Sequence, residues 1–215
     1  VQAETLMPAE HPLWSHLLSE RAQLLIRESQ YREALRRARE AVEVADRRGT
    51  LLDRSHALST LAHPAILPLM GEEGRRLMRS WVADVATKGE ERLLTDARHI
   101  AASDIWTRGM VDEELLRFIE DGVARAAEFG WTRDEIGLRM MLGWGYFLTG
   151  RWAEASVLLE RAHGLLETLG GYTQGYFHIA LPYFRGNAAM GRGALEEGKR
   201  IFEQAAKLVS LTDVA

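Results

Sequence analysis

Cysteine is absent from this 215-residue chain, which excludes disulfide bonds and thiolate metal sites. Long apolar runs are also missing, since none approaches the roughly 18 residues that a membrane-spanning helix needs. Residues 1–10 lack the basic stretch followed by an apolar one that marks a secretory signal, and the first residue is not methionine. We therefore expect a cytoplasmic segment of a longer polypeptide that makes no membrane contact.

Lysine is scarce, because only three of the 27 lysine and arginine residues are lysine: Lys88, Lys199 and Lys207. Genomic base composition and thermal adaptation are both open as explanations of this preference for arginine. The formal net charge of −4 argues against direct nucleic-acid binding, which needs a concentrated basic surface to neutralise phosphates. We expect a partner other than nucleic acid.

A short pattern of small and bulky apolar residues returns along the chain at nearly constant intervals. Its anchors lie 40, 41, 40 and 43 residues apart, at Ala34, Gly74, Leu115, Ala155 and Gly198. A period of 20 to 50 residues is typical of stacked supersecondary units. Because apolar residues also recur at i, i+3, i+4 and i+7, the units are predicted to be helical. The sequence predicts a single all-α repeat domain over 1–215, with five hairpins at 13–49, 51–88, 91–130, 134–170 and 173–211.

The fourth repeat shows the pattern most clearly. Its first helix is predicted from Asp134 to Leu148 and its second from Trp152 to Leu169, with Gly150 supplying the backbone freedom of the turn between them. Small residues at Gly143 and Ala155 are expected to let the two helices approach closely. The bulky and small residues that complete the pattern are Leu142, Tyr146, Leu159 and Ala162.

The run from Leu142 to Ala162, with Gly-Arg-Trp-Ala-Glu-Ala at 150–155, closely resembles the tetratricopeptide repeat (TPR). All five repeats share its layout, although their period is longer than usual. Such long variants resemble the helical arrays of large bacterial regulators, namely class III adenylate/guanylate cyclases carrying an AAA-type ATPase and maltose-regulator-like signal-transduction ATPases. The resemblance implies a right-handed α-α superhelix. No catalytic residue of either family has a counterpart here, so it implies no enzyme activity for this segment.

Two glycine motifs imitate nucleotide-binding sequences. The run from Gly193 to Arg200 is one residue short of a phosphate-binding P-loop, and Arg200 stands where Ser or Thr should hold magnesium. Gly143-x-Gly145 lies inside a predicted helix, whereas a dinucleotide motif follows a strand. We interpret both as parts of repeat helices and expect no cofactor.

Histidines and carboxylates offer no recognisable catalytic or metal-binding pattern. Of the seven histidines, none has a histidine partner at i+4 or lies in a His-Glu-x-x-His motif. His56 and His63 are two helical turns apart, which is about 10 Å of rise. Acidic pairs such as Glu72-Glu73 begin second helices, where they complement the helix dipole. We expect neither a metal site nor a catalytic residue.

Binding residues are expected on the concave surface, which the first helices of successive hairpins line in the TPR arrangement. Large side chains with polar tips are favoured binding anchors. The candidates are Trp144, Phe147 and Met140 in the fourth repeat, Tyr183 and Asn187 in the fifth, His63 in the second and Asp104 in the third. The alternative for Trp144 and Phe147 is packing against the next hairpin, or against helices lost by truncation.

These features predict a non-catalytic module that binds a protein or peptide segment, or attached domains of its parent protein. The resemblance places it in a bacterial signalling protein, either a nucleotide cyclase or a transcriptional regulator. The alternative is a small-ligand sensor that binds a metabolite or sugar in the concave groove. A peptide binder should present an open surface, whereas a sensor should enclose one pocket. Apolar ends of the array are expected to allow a homodimer.

Overall fold

The computed structural model describes residues 7–63, 65–88, 90–109, 111–169 and 176–212. Within these ranges, the side chains at 75, 88, 103–104, 106–108, 176 and 208–212 lie outside the description. Throughout the described residues the regular elements are helical, which confirms the all-α prediction. The described residues form the α-helices α1 (Trp14–Arg27), α2 (Tyr31–Arg48), α3 (Leu51–Leu61), α4 (Gly71–Lys88), α5 (Glu91–Arg108), α6 (Glu113–Glu128), α7 (Thr132–Leu148), α8 (Trp152–Thr168), α9 (Tyr176–Gly191) and α10 (Leu195–Thr212).

The chain forms two compact units, Val1–Arg108 (unit 1) and Gly109–Ala215 (unit 2). Unit 1 holds α1 to α5 and unit 2 holds α6 to α10. The boundary falls inside the predicted third hairpin, at 91–130, so α5 and α6 belong to different units. The packing of α5 against α6 as one hairpin therefore stays a prediction. The single domain over 1–215 stays a prediction as well.

The hairpin of α7 and α8 is closed by side-chain complementarity at Gly143. A Cβ atom at this position would lie 2.7 Å from Cγ of Leu159 and 3.4 Å from the carbonyl oxygen of Ala155. Leu159 and Ala155 are fully buried. The close approach predicted from the small residues is confirmed, because no side chain larger than hydrogen fits at Gly143 without displacing Leu159.

Matching turns end the first helices of the fourth and fifth hairpins. Gly150 and Gly193 both have positive φ, 80° and 82°, a region that favours glycine. After each, a backbone N–H donates to a carbonyl five residues earlier: Arg151 to Tyr146 at 2.8 Å and Ala194 to Ala189 at 3.0 Å. The segment that imitates a P-loop is thus the turn between α9 and α10 and the start of α10.

In unit 1 the forty-residue period brings equivalent side chains of α1, α3 and α5 into register. These helices pack in sequence, α1 on α3 and α3 on α5. Three buried hydroxyl residues recur at this spacing: Ser15, Ser55 and Thr95. The next position on each helix carries His16, His56 and Asp96. The repeat therefore sets which polar groups of unit 1 become neighbours.

The second hairpin is less regular than the fourth. Its first helix, α3, ends at Leu61, and a 3-10 turn over Leu67–Met70 precedes α4. Arg54 on α3 links to α4, since its Nη1 lies 2.5 Å from Oδ2 of Asp84 and its guanidinium carbon 5.3 Å from the ring centroid of Trp81. Polar side chains thus help to hold α3 against α4. In the fourth hairpin, by contrast, α7 and α8 are held by close packing at Gly143.

Candidate functional site: an aromatic surface on unit 2

Four of the predicted binding residues come together where α7 and α9 lie side by side in unit 2. Trp144 and Phe147 project from α7, and Tyr183 and Asn187 belong to α9. The ring centroids of Trp144 and Phe147 are 4.8 Å apart, and those of Trp144 and Tyr183 are 5.9 Å apart. We call Trp144, Phe147, Tyr183, Phe184 and Phe202 the aromatic cluster.

Trp144 is the centre of the aromatic cluster and has a packing role. Its indole stacks on Phe147 and also on the fully buried Phe184, with a ring-centroid distance of 4.7 Å to the latter. The side chain is half-buried as a result. Such offset aromatic contacts stabilise by about 0.5–1.5 kcal/mol beyond the burial of area. Packing against the next hairpin, which was the alternative interpretation, is therefore part of what Trp144 does.

Tyr183 is the most exposed ring of the aromatic cluster, with 46% of its surface open to solvent. Its ring also contacts Phe184 and Phe202, whose centroids lie 5.7 and 6.4 Å away. Phe202 is in turn held against Gly186, where a Cβ atom would meet the phenyl ring at 2.5 Å. The ring of Tyr183 is thus supported by the buried Phe184 and the partly buried Phe202, and one side of it is open to solvent.

Two further exposed apolar residues extend the surface along α9, and neither was predicted from the sequence. Ile179 is 59% exposed and Met190 is 46% exposed. Residues at i, i+4 and i+11 share one helix face, so Ile179, Tyr183 and Met190 form an apolar stripe about 16 Å long. The helical spacing of apolar residues was the available signal.

Asn187 lies beside the apolar stripe with its amide already engaged. Its Nδ2 donates a hydrogen bond to the carbonyl oxygen of Tyr183 at 2.7 Å. The positions that make up the surface, 144, 147, 179, 183, 187 and 190, carry no charged side chain. This part of unit 2 therefore offers apolar contact area with few polar groups.

Trp152 closes one end of the surface, a role that was not predicted from the sequence. Its indole Nε1 donates to the carbonyl oxygen of Phe147 at 3.2 Å. The same ring covers Gly191, where a Cβ atom would lie 2.9 Å from Cγ of Trp152. Trp152 therefore ties the ends of α7 and α9 to the start of α8.

The other three predicted binding residues are Met140, His63 and Asp104. Met140 was predicted at the binding surface but is only 1% exposed, because α6, α8 and α9 all pack on α7 and leave few of its positions open. His63 is exposed in unit 1 but follows the end of α3, where its Nδ1 accepts a hydrogen bond from the N–H of Ala65. The side chain of Asp104 lies outside the described residues.

A polar network behind the surface fixes α6, α7 and the start of α8. The hydroxyl of Tyr146 donates to Oε1 of Glu120, and the guanidinium of Arg151 stacks on the phenol ring at 3.7 Å from its centroid. Arg151 Nη2 also donates to Glu154 at 2.8 Å. Burial, and then the hydrogen bond to Glu120, raises the pKa of Tyr146 to about 12. These groups are paired with one another, so the network is structural.

Unit 1 contains a histidine–carboxylate cluster that was not foreseen from the sequence. Nε2 of His16 lies 2.7 Å from Oδ1 of Asp53, and the rings of His16 and His56 stack with centroids 4.6 Å apart. Nε2 of His56 lies 3.8 Å from Oε1 of Glu20. Over the described part of the chain, no group of three or more such residues is arranged to hold a metal ion.

Two surface depressions are lined mainly by charged side chains. One runs along α2 from Arg32 to Glu43, and the other runs along α10 from Glu196 to Glu203. Neither includes a residue of the aromatic cluster. No described helix combines the length and the apolar character that crossing a membrane requires.

Comparison with known proteins identifies the fold. No protein-family model matches the chain, and no curated protein matches it. Among solved structures, it is similar to a Podosopora anserina putative kinesin light chain with nearly identical TPR-like repeats, at 20% identity and a TM-score of 0.67, covering 96% of this chain and 100% of that one. A single-substitution variant of that protein gives 19% identity and a TM-score of 0.69, with 96% and 99% covered. The chain therefore has the fold of TPR-like helical repeats.

Proposed function

We propose that this chain is a non-catalytic protein-binding module and that the surface around Tyr183 receives the partner. The single observation that carries the proposal is the exposed apolar stripe of α9, set against the half-buried Trp144 and the buried Phe184. TPR-like repeats generally mediate protein interactions. Rigid aromatic side chains backed by buried neighbours are the usual energetic centres of protein interfaces.

The chemistry of the surface selects for an apolar contact face on the partner. Ile179, Tyr183 and Met190 expose apolar area, and no charged residue stands among the six surface positions. A charge buried against them would lose its hydration without gaining a partner, which is costly. A partner that presents uncharged apolar side chains, with polar residues around them, fits this surface best.

A small-ligand sensor is supported less well. Such a site needs a concave pocket that encloses most of the ligand. The stripe on α9 is exposed along its length, and the two depressions described above lie on charged faces of other helices. The open geometry therefore favours a macromolecular partner over a metabolite or sugar.

We also propose that the module belongs to a larger, cytoplasmic bacterial signalling protein, in which it relays or restrains the activity of attached domains. The resemblance of residues 142–162 to the arrays of nucleotide cyclases and signal-transduction ATPases supports this context. The reading frame around the segment provides the test. A cyclase, an ATPase or a helix-turn-helix domain beside it would support the proposal, and a lone repeat domain would contradict it.

Selection from a random peptide library displayed on phage tests the binding proposal even though the natural partner is unidentified. The immobilised wild-type chain should enrich peptides with uncharged apolar anchors. Amide hydrogen exchange with a selected synthetic peptide should then show protection in α9 and in the second half of α7. Enrichment of charged peptides, or protection confined to α2 and α10, would contradict the proposal.

A further inference from the structure

The polar junction between α1 and α3 in unit 1 is built from two stacked imidazole rings. His16 and His56 are 40 residues apart, one repeat period, and their ring planes make an angle of 24° with centroids 4.6 Å apart. A second contact across the junction runs from Nε2 of Gln23 to Oγ1 of Thr60 at 3.4 Å. The stack therefore lies where the two helices meet.

We propose that the His16–His56 pair is a pH-sensitive latch that holds α1 on α3 while at least one ring is neutral and releases it when both are protonated. Two imidazolium rings at this separation repel each other, whereas a neutral ring stacks on either form. The release is confined to the contact of α1 with α3, because the apolar packing of the other helices does not depend on these rings. The inference is independent of the binding surface on unit 2.

Asp53 ties the latch to the start of α3. Its Oδ2 accepts hydrogen bonds from the N–H of Thr50 at 2.6 Å and from the Thr50 hydroxyl at 2.9 Å, which makes it part of the capping box of α3. Its Oδ1 pairs with His16. Burial alone would raise the pKa of Asp53, but the hydrogen bonds from Thr50 and His16 outweigh it and lower the pKa. The carboxylate of Asp53 is therefore the counter-charge closest to His16.

His56 lacks a comparable counter-charge. Glu20 on α1 is 3.8 Å away and its side chain is 63% exposed, so solvent screens it. Asp96 on α5 is engaged by the hydroxyl of Ser55 at 3.4 Å and by Arg92 at 3.8 Å. On the side of α3 that meets α2, Arg54 forms an ion pair with Asp46, with Nε 2.6 Å from Oδ1. Glu20, Asp96 and Asp53 favour the charged form of His56, but burial and the charge on His16 outweigh them.

The direction of the pH effect follows from His56. Burial, and then the charge on His16, lowers the pKa of His56 below its ordinary value of 6.5. Since the unfolded chain takes up this proton more readily, the stability that neutral His56 contributes is fully present above about pH 6.5. It is lost as the pH falls through the lowered pKa. The latch is thus closed at neutral pH and opens in mild acid.

Amide hydrogen exchange of the full chain at pH 7 and pH 5, corrected for the intrinsic rates, tests the latch. We expect protection in α1 to fall in acid by about tenfold for each unit by which the pKa of His56 is lowered. His56→Gln should abolish this loss. His163→Gln is the matched control, because burial also lowers the pKa of His163 but the residue lies in unit 2, and it should leave the loss intact.

Proton titration of the histidine rings by NMR keeps the proposal testable if His56→Gln fails to fold. His16→Gln should raise the pKa of His56, because the charge on His16 lowers that pKa in the wild type. An unchanged pKa of His56 in His16→Gln would overturn the latch. Equal loss of protection in wild type and His56→Gln, or no loss in either, would overturn it as well.

Discussion

Replacement of glycine by alanine at two positions of one hairpin should have opposite effects on stability. Gly143 lies in α7 at the contact with α8, whereas Gly164 lies in α8 and a Cβ atom there would meet no other atom within 4 Å. Alanine in a helix is favoured over glycine by about 1 kcal/mol. Gly164→Ala should therefore stabilise the protein by about 1 kcal/mol.

Gly143→Ala gains the same propensity but loses more through overpacking. The new Cβ would lie 2.7 Å from Cγ and 2.9 Å from Cδ2 of the buried Leu159, and 3.4 Å from the carbonyl oxygen of Ala155. Cγ of Leu159 is only two bonds from Cα, so it cannot move aside as freely as the end of a side chain can. Overpacking of this kind costs about 1–3 kcal/mol. The net effect is destabilisation by up to about 2 kcal/mol, and the two variants should differ by about 1–3 kcal/mol.

Urea unfolding followed by circular dichroism and tryptophan fluorescence measures this difference. Both substitutions make the same chemical change in the same hairpin, so the comparison largely cancels the intrinsic preference for alanine. Unchanged m values would show that only stability has shifted. If Gly143→Ala proves as stable as Gly164→Ala, the close approach of α7 and α8 at this glycine is refuted.

Two further substitutions test the packing of unit 2. Ala155→Glu places a charge in a fully buried position and should destabilise by at least about 4 kcal/mol in thermal melts, whereas Val157→Glu, on the same helix but 72% exposed, should stay within about 0.5 kcal/mol. Tyr146→Phe should remove the component near pH 12 from the ultraviolet titration of the five tyrosines. Since the folded pKa of Tyr146 is raised, the stability it contributes is present below pH 10 and lost as the pH rises towards 12. If the component lost in Tyr146→Phe lies near pH 10 instead, the raised pKa of Tyr146 is refuted.

Sequence periodicity predicted the elements whose contacts lie close along the chain. The helices of the fourth hairpin begin and end within two residues of their predicted bounds, and Gly143 and Ala155 pack as expected. These features depend on one turn and one helix pair, which local residue types determine. The fold of TPR-like repeats followed from the same pattern.

Features that depend on several helices at once were harder to predict. Met140 was assigned to the surface by its position in the repeat, but three helices cover α7 and bury it. Ile179 and Met190 were missed because their exposure depends on which face of α9 its neighbours cover. The contact of His16 with His56 could have been predicted, because the two residues are one repeat period apart. A search for metal-binding patterns within single helices does not detect this spacing.

The affinity of a selected peptide for Tyr183→Ala tests the central claim most directly. Tyr183 is the suitable position, because replacing Trp144 would also remove the packing of Phe147 and Phe184. Tyr31→Ala is the matched control, since Tyr31 is 42% exposed in unit 1. Isothermal titration should show affinity about 30-fold weaker for Tyr183→Ala, as expected for an aromatic residue that contributes about 2 kcal/mol, and unchanged affinity for Tyr31→Ala. Equal affinity of wild type and Tyr183→Ala would contradict the assignment of the binding surface to unit 2.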